Sequence, residues 1–192
     1  MFKIIKICLL GIWNVWFYVL AFIGIVISFP FLILFSLKES WYPYFFWVAK
    51  NIWSNTVMYG MGFYPSIKWK EKFEKGKSYM LVSNHKSMID IMLMLSACDH
   101  PVVFVGKEFK NGAFSLAIQF QIPIVPMSFY DCERKFPYFF AYNYFVGSPG
   151  KLRANVHSFI ETKGLTQEDK PQLKERVFRL LKNDLEATIS QN

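Results

Sequence analysis

The chain is short of cysteine, of acidic side chains and, in its first third, of charge altogether. Its three cysteines, Cys8, Cys98 and Cys132, stand far apart and form no Cys-x-x-Cys pair. That argues against a disulfide framework and against a cysteine-based metal site, and fits reduced thiols in a cytosol-facing domain. The 14 Asp and Glu are outnumbered by 22 Lys and Arg, which leaves a net charge of +8 over 192 residues. Such a surplus favours an anionic partner: a membrane surface, a phosphate-bearing substrate or nucleic acid. No arginine-rich segment or nucleic-acid-binding signature accompanies it, and the apolar segment described next argues against nucleic acid.

Between Ile7 and Leu37 there are 31 residues without a charged side chain. Crossing the hydrocarbon core takes roughly 20 residues of helix. A single helix over residues 7–37 would be about 46 Å long, and Gly11, Gly24 and Pro30 are places for it to bend or end. A cleaved leader would suit Lys3 and Lys6, but the apolar run is too long and no small-x-small site follows it. A second segment, residues 41–64, is rich in Trp, Tyr and Phe and is interrupted by Lys50, Asn51, Ser54 and Asn55. That mixture suits a membrane interface. The two segments are expected to form a two-helix hydrophobic anchor over residues 1–65; the other possibility is that the second packs on the following domain as an aromatic core helix.

Residues 66–192 read as a separate domain. Polar and apolar residues alternate over 66–70, predicting a half-buried strand, and a charged turn follows around Gly76. Residues 79–82 predict a buried strand, with Ser83 and Asn84 as N-caps of a helix over 87–97. Further elements are a buried strand at 101–105 and a helix at 112–120. Residues 122–129 contain Pro123 and Pro126, predicting a strand at an edge or with an interruption. An aromatic stretch over 136–150 is followed by a strand over 151–160. Leu173, Val177, Leu180, Leu181, Leu185 and Ile189 recur at helical spacing behind a Thr166/Asp169 capping signal. Alternating strands and helices argue for an α/β sheet flanked by helices.

The residues that carry chemistry cluster after the strand at 79–82. His85 and Asp90 stand five apart in the run Ser83-Asn84-His85-Lys86-Ser87-Met88-Ile89-Asp90, at a strand-to-helix junction. A histidine titrating near neutrality can take a proton from an alcohol, and a carboxylate beside it can fix its tautomer. No serine or cysteine nucleophile is needed when the substrate brings its own hydroxyl. On spacing alone the plainer possibility, a capping Asn84 with a solvated Asp90, is the stronger by about two to one. Lys107 and Lys110 could meet a phosphate, although solvated surface charge is the ordinary role of such lysines. His100 reads as a loop residue and His157 as a strand residue.

The pattern Asn84-His85-x-x-x-x-Asp90, behind two hydrophobic segments, resembles the lysophosphatidic acid acyltransferase family, the 1-acylglycerol-3-phosphate O-acyltransferases. Val103-Phe104-Val105-Gly106-Lys107-Glu108, Phe109-Lys110-Asn111-Gly112-Ala113-Phe114 and Ile122-Pro123-Ile124-Val125-Pro126 resemble later family segments in the same order. The resemblance implies a glycerolipid acyltransferase-like sheet, with His85 as general base and Asp90 orienting it. It also implies Asn84, Lys107, Lys110, Gly112 and Pro126 on the substrate side, Lys107 near the phosphate and Pro126 near the acyl end. Acyl-CoA or acyl carrier protein, lysophosphatidic acid and membrane lipids would be the partners, at the cytoplasmic face of a membrane. Neither a metal nor another cofactor is implied. The family's Asp-Arg and Phe-Pro-Glu-Gly motifs do not occur in the chain, and Glu108 is followed directly by Phe109. An incomplete sheet, shortened at that junction, is therefore expected. A catalytically inactive, internally deleted homologue that only binds membrane lipid or a partner is the alternative function.

Overall fold

The computed structural model describes residues 2–74, 76–99, 111–137 and 147–189. It divides into two compact units. The first contains the N-terminal helices and residues 86–101 and 131–152; the second contains residues 67–85, 102–130 and 153–192.

In the first unit the apolar run forms one helix, α1 (Phe2–Ser36), continuous through Pro30. Its buried and half-buried positions, among them Trp13, Phe17, Leu20, Gly24 and Ser28, recur once per turn and form one narrow stripe. The remaining faces, including Ile12, Phe22, Val26 and Phe29, are apolar and exposed. A helix apolar all round and covered on one stripe is suited to lipid rather than water. Its 34 residues from Lys3 to Ser36 are long and apolar enough to cross a membrane.

The expected second anchor helix is not present: α1 is the single long apolar helix among the described residues. Residues 41–64 break into α2 (Tyr42–Val48), a π-helical turn (Ala49–Ser54) and α3 (Asn55–Gly60). The physical reason lies in the interrupting polar residues, which bond inward. Lys50 Nζ donates to the Cys98 carbonyl at 2.6 Å and pairs with Asp99 at 3.2 Å. Ser54 Oγ donates to the Met92 carbonyl at 3.1 Å. These bonds tie the segment to α4 (Asp90–Ala97), and the Trp13 and Trp16 indoles of α1 donate to the carbonyls of Met61 and Gly60.

The sheet has four strands in the order β1-β4-β3-β2: β1 (Phe63–Trp69), β2 (Met80–Ser83), β3 (Ile124–Phe129) and β4 (Gly150–Val156). Along the chain, β1 and β4 each belong partly to both units. In the second unit β2 runs parallel to β3, with Met80 opposite Ile124 and Ser83 opposite Met127. β3 runs antiparallel to β4, with Met127 opposite Val156. Helices α5 (Asn111–Gln119) and α7 (Lys170–Ile189) complete a core of Val82, Phe114, Ala117, Ile118, Ile124, Val177 and Leu181. Burial of the Val, Ile, Leu and Phe side chains among them contributes about 1.5–3 kcal/mol apiece. The Thr166/Asp169 signal ahead of α7 is realised: the backbone N–H and the hydroxyl of Thr166 both donate to the Asp169 carboxylate, at 2.8 and 3.0 Å. Those bonds hold the Asp169 carboxyl below its ordinary range.

β3 is an inner strand, so of the two expectations for residues 122–129 the interruption is the one realised. Ile124 pairs with Ile160 and Met127 with Val156, so β3 advances three residues where the opposite chain advances four. The extra residue makes a β-bulge at 157–159, opposite Pro126. A proline, which has no N–H to give, is accommodated inside a sheet at such a place. The strand expected at 101–105 lies outside the described residues. So does the Glu108/Phe109 junction, and with it the expected incompleteness of the sheet.

Candidate active site

Because β2 and β3 are parallel, their C-terminal ends lie at the same edge, where an α/β sheet presents its functional loops. Asn84 follows the last residue of β2. Its side-chain amide donates to the Phe129 carbonyl at 2.8 Å and accepts the Phe129 N–H at 2.7 Å. The side chain thus imitates one more residue of strand pairing. Asn84 and Ser83 are therefore not helix N-caps, as expected from sequence; Ser83 closes the strand and α4 begins later, at Asp90. The next residue, His85, is half-buried.

In the first unit, Asp90 opens α4 and is 1% exposed. Its Oδ2 accepts the backbone N–H groups of Lys86 at 2.7 Å and Ser87 at 2.8 Å. Ser87, itself fully buried, donates its hydroxyl to the Phe136 carbonyl and accepts the Ile89 N–H at 3.2 Å. The turn leading into α4 is therefore fixed by its own side chains. The Cys132 thiol, on α6 (Cys132–Lys135), is pushed well above its ordinary range by burial first and by the Asp90 carboxylate second. Lys86 pairs with Glu133 at 3.2 Å, an exposed contact worth roughly 0–1 kcal/mol.

Gly112 lies in the first turn of α5, where an added Cβ would meet none of the described residues within 4 Å. Pro126 is buried in β3, opposite the bulge. Lys107 and Lys110 lie outside the described residues, as does His100. Among the described residues no group of three or more His, Cys, Asp or Glu is placed to hold a metal.

The second unit also holds a polar cluster around the buried Ser128 and His157 that is not expected from the sequence. His157 Nε2 lies 2.9 Å from Ser128 Oγ and 3.4 Å from Asp184 Oδ2. The Tyr130 hydroxyl donates to Asp184 Oδ2 at 2.5 Å, and Asn155 Nδ2 donates to Asp184 Oδ1 at 3.4 Å. The signal was present: Asp184 stands seven residues after Val177 and three after Leu181, on the apolar stripe of α7. Burial lowers the His157 pKa, against the pull of Asp184. Burial works to raise the Asp184 pKa, but hydrogen bonds from Tyr130 and Ser128 bring it below its ordinary value. The Tyr130 phenol is pushed up to about 12, by burial and then by Asp184. Ser128 and Asp184 approach the same ring nitrogen. A nucleophile–base–carboxylate relay needs the two on different nitrogens, so the cluster is a structural network.

No protein-family model matches the chain. It is 39% identical over 76 residues to mouse 1-acyl-sn-glycerol-3-phosphate acyltransferase alpha, covering 36% of this chain and 23% of that protein. It is 36% identical over 80 residues to the human beta form, covering 38% of this chain and 25% of that protein. The matches therefore span about a quarter of those relatives' length. The fold is that of the crystal structure of the 1-acyl-sn-glycerophosphate acyltransferase PlsC from Thermotoga maritima, with a TM-score of 0.70 and 17% identity over 97% of this chain and 98% of that one. Part of the sequence is thus similar to glycerolipid acyltransferases, and the fold is similar to that of one of them. More narrowly, its resemblance is to the 1-acyl-sn-glycerol-3-phosphate acyltransferases, the lysophosphatidic acid acyltransferase family.

Proposed function

We propose that the chain moves a fatty acyl group from acyl-CoA or acyl carrier protein to the free hydroxyl of 1-acylglycerol-3-phosphate, giving phosphatidic acid. The observation that carries this reading is the run Asn84-His85-x-x-x-x-Asp90, which leaves the C-terminal end of β2, the parallel neighbour of β3, with Asn84 bonded to β3 and Asp90 buried. In the proposed reaction His85 takes the proton of the lysolipid hydroxyl as its oxygen attacks the thioester carbonyl. The tetrahedral intermediate collapses, the C–S bond breaks, and the imidazolium returns the proton to the leaving thiolate. The products are an ester and a free thiol. Asp90 serves as the carboxylate partner that stabilises the imidazolium. Lys107 and Lys110 are proposed for the substrate phosphate, with Gly112 beside the substrate and Pro126 toward its acyl end.

Residues 1–65 serve as the membrane anchor in this proposal, with the chemistry of residues 66–192 on the cytoplasmic face, where thioester donors and reduced thiols are found. The test is purified protein in detergent, given lysophosphatidic acid and acyl-CoA, with free CoA read by a thiol reagent. Release of CoA that requires the lysolipid supports the reading; none from either thioester donor contradicts it. A second reading, a homologue that binds lipid without chemistry, is favoured by the absence of the Asp-Arg and Phe-Pro-Glu-Gly motifs. It predicts lysolipid binding that His85→Ala leaves unchanged, in a protein that releases no CoA.

A further inference from the structure

We infer that Asn84 is a positioning residue for His85, acting through the backbone of Phe129, and that the buried Ser128–His157–Asp184–Tyr130 network is the brace that keeps Phe129 in place. The inference rests on the proposed role of His85 as base.

Both polar functions of the Asn84 amide are engaged by one backbone residue, at 2.8 and 2.7 Å. Within the second unit, the residue next to His85 is therefore pinned at two points to the end of β3. That end is itself held on both sides of Phe129. Ser128 bonds to His157 at 2.9 Å, and Tyr130 bonds through its hydroxyl to Asp184 at 2.5 Å and through its N–H to the Arg153 carbonyl at 3.1 Å. Ser128 and His157 are 0% and 2% exposed. Tyr130 and Asp184 are half-buried, and a polar network bonded in this way around a buried pair is rigid. It reaches His85 through two residues, Phe129 and Asn84. A base delivers its rate only when its ring is held to within a fraction of an ångström, and a misplacement of about 1 Å can cost on the order of 100-fold.

The experiment compares Asn84→Ala, Asn84→Asp and His157→Gln with the unmutated protein in detergent. Asn84→Ala removes both bonds. Asn84→Asp keeps the acceptor for the Phe129 N–H and loses the donor. For Asn84→Ala, kcat should fall by at least about tenfold with the lysolipid KM unchanged. Asn84→Asp should fall between it and the unmutated protein, and His157→Gln should lower kcat less than Asn84→Ala. A raised KM at constant kcat would place Asn84 on the substrate and overturn the inference, as would unchanged kcat in Asn84→Ala.

A readout independent of turnover is the His85 ring signal in histidine-labelled protein. The chain has three histidines, and the His85 signal is assigned by its loss in His85→Ala. Exchange broadening of that signal in Asn84→Ala, with the His157 signal retained, supports positioning; an unaltered His85 signal refutes it. Should the unmutated protein show no acyl transfer, the proposed reaction fails on that result, and the ring signal decides the positioning role separately.

Discussion

His157 donates its backbone N–H to the carbonyl of Pro126 at 3.0 Å. The bond marks the place where β3 tolerates a proline without being an edge strand. Opposite Pro126 the antiparallel segment carries one extra residue, the kind of irregularity at which a sheet takes in a residue without an N–H. The same bulge brings the His157 imidazole to Ser128 and Asp184. One backbone irregularity therefore accommodates the proline and builds the buried network under α7.

That network makes stability depend on pH. The pKa of His157 is lowered from 6.5 in the folded chain, chiefly by burial. On acidification the unfolded chain takes up this proton first, so the stability present above 6.5 is lost as pH falls through that value toward the folded pKa. Asp184, lowered from 3.8, adds stability above that value, lost as pH falls through its folded pKa. The thermal midpoint in detergent should decline between about pH 7 and pH 5 and decline again in stronger acid. His157→Gln should flatten the first decline. Equal slopes for the two proteins between those limits would refute the assignment.

Ser87 fixes the turn before α4 through its hydroxyl as well as its N–H. Ser87→Ala leaves the Phe136 carbonyl and the Ile89 N–H without that partner. It should cost about 1–3 kcal/mol, seen as a lowered midpoint of thermal unfolding. A midpoint within error of the parent would show that the turn is held by other means.

Gly112 separates a packing role from a substrate role. An added methyl there meets no atom of the described residues within 4 Å, and alanine is favoured over glycine in a helix by about 0.5–1 kcal/mol. Gly112→Ala should therefore leave the thermal midpoint unchanged or slightly higher. A raised KM at that undiminished stability is the outcome expected if the substrate lies against this glycine; an unchanged KM would remove Gly112 from the site.

The exposed apolar faces of α1 predict attachment by insertion rather than by charge. Membranes from cells expressing the chain should retain it in molar salt and release it into detergent. Release by salt alone would indicate a surface held by the net charge of +8.

Much of this architecture is written in local pattern. The uncharged run gave α1, the apolar period gave α7, and the short run at 79–82 gave β2 with His85 just beyond it. What was not legible depends on partners distant in sequence. Residues 41–64 fail as a second anchor helix because Lys50 and Ser54 find carbonyls about 40 to 50 positions away. Asn84 reads as a cap by residue type and becomes a strand mimic because Phe129 lies beside it. Asp184 on an apolar stripe hinted at a buried polar contact, but its partners are Tyr130, just past the end of β3, and Asn155 in β4.

The most direct test of the proposed chemistry is formation of phosphatidic acid, followed by mass spectrometry, from lysophosphatidic acid and acyl-CoA or acyl carrier protein with the purified protein and with His85→Ala. His85 acting as base predicts product from the unmutated protein and a loss of roughly 100- to 10,000-fold in the variant. Equal product from both, or none from the unmutated protein with either donor, would contradict it.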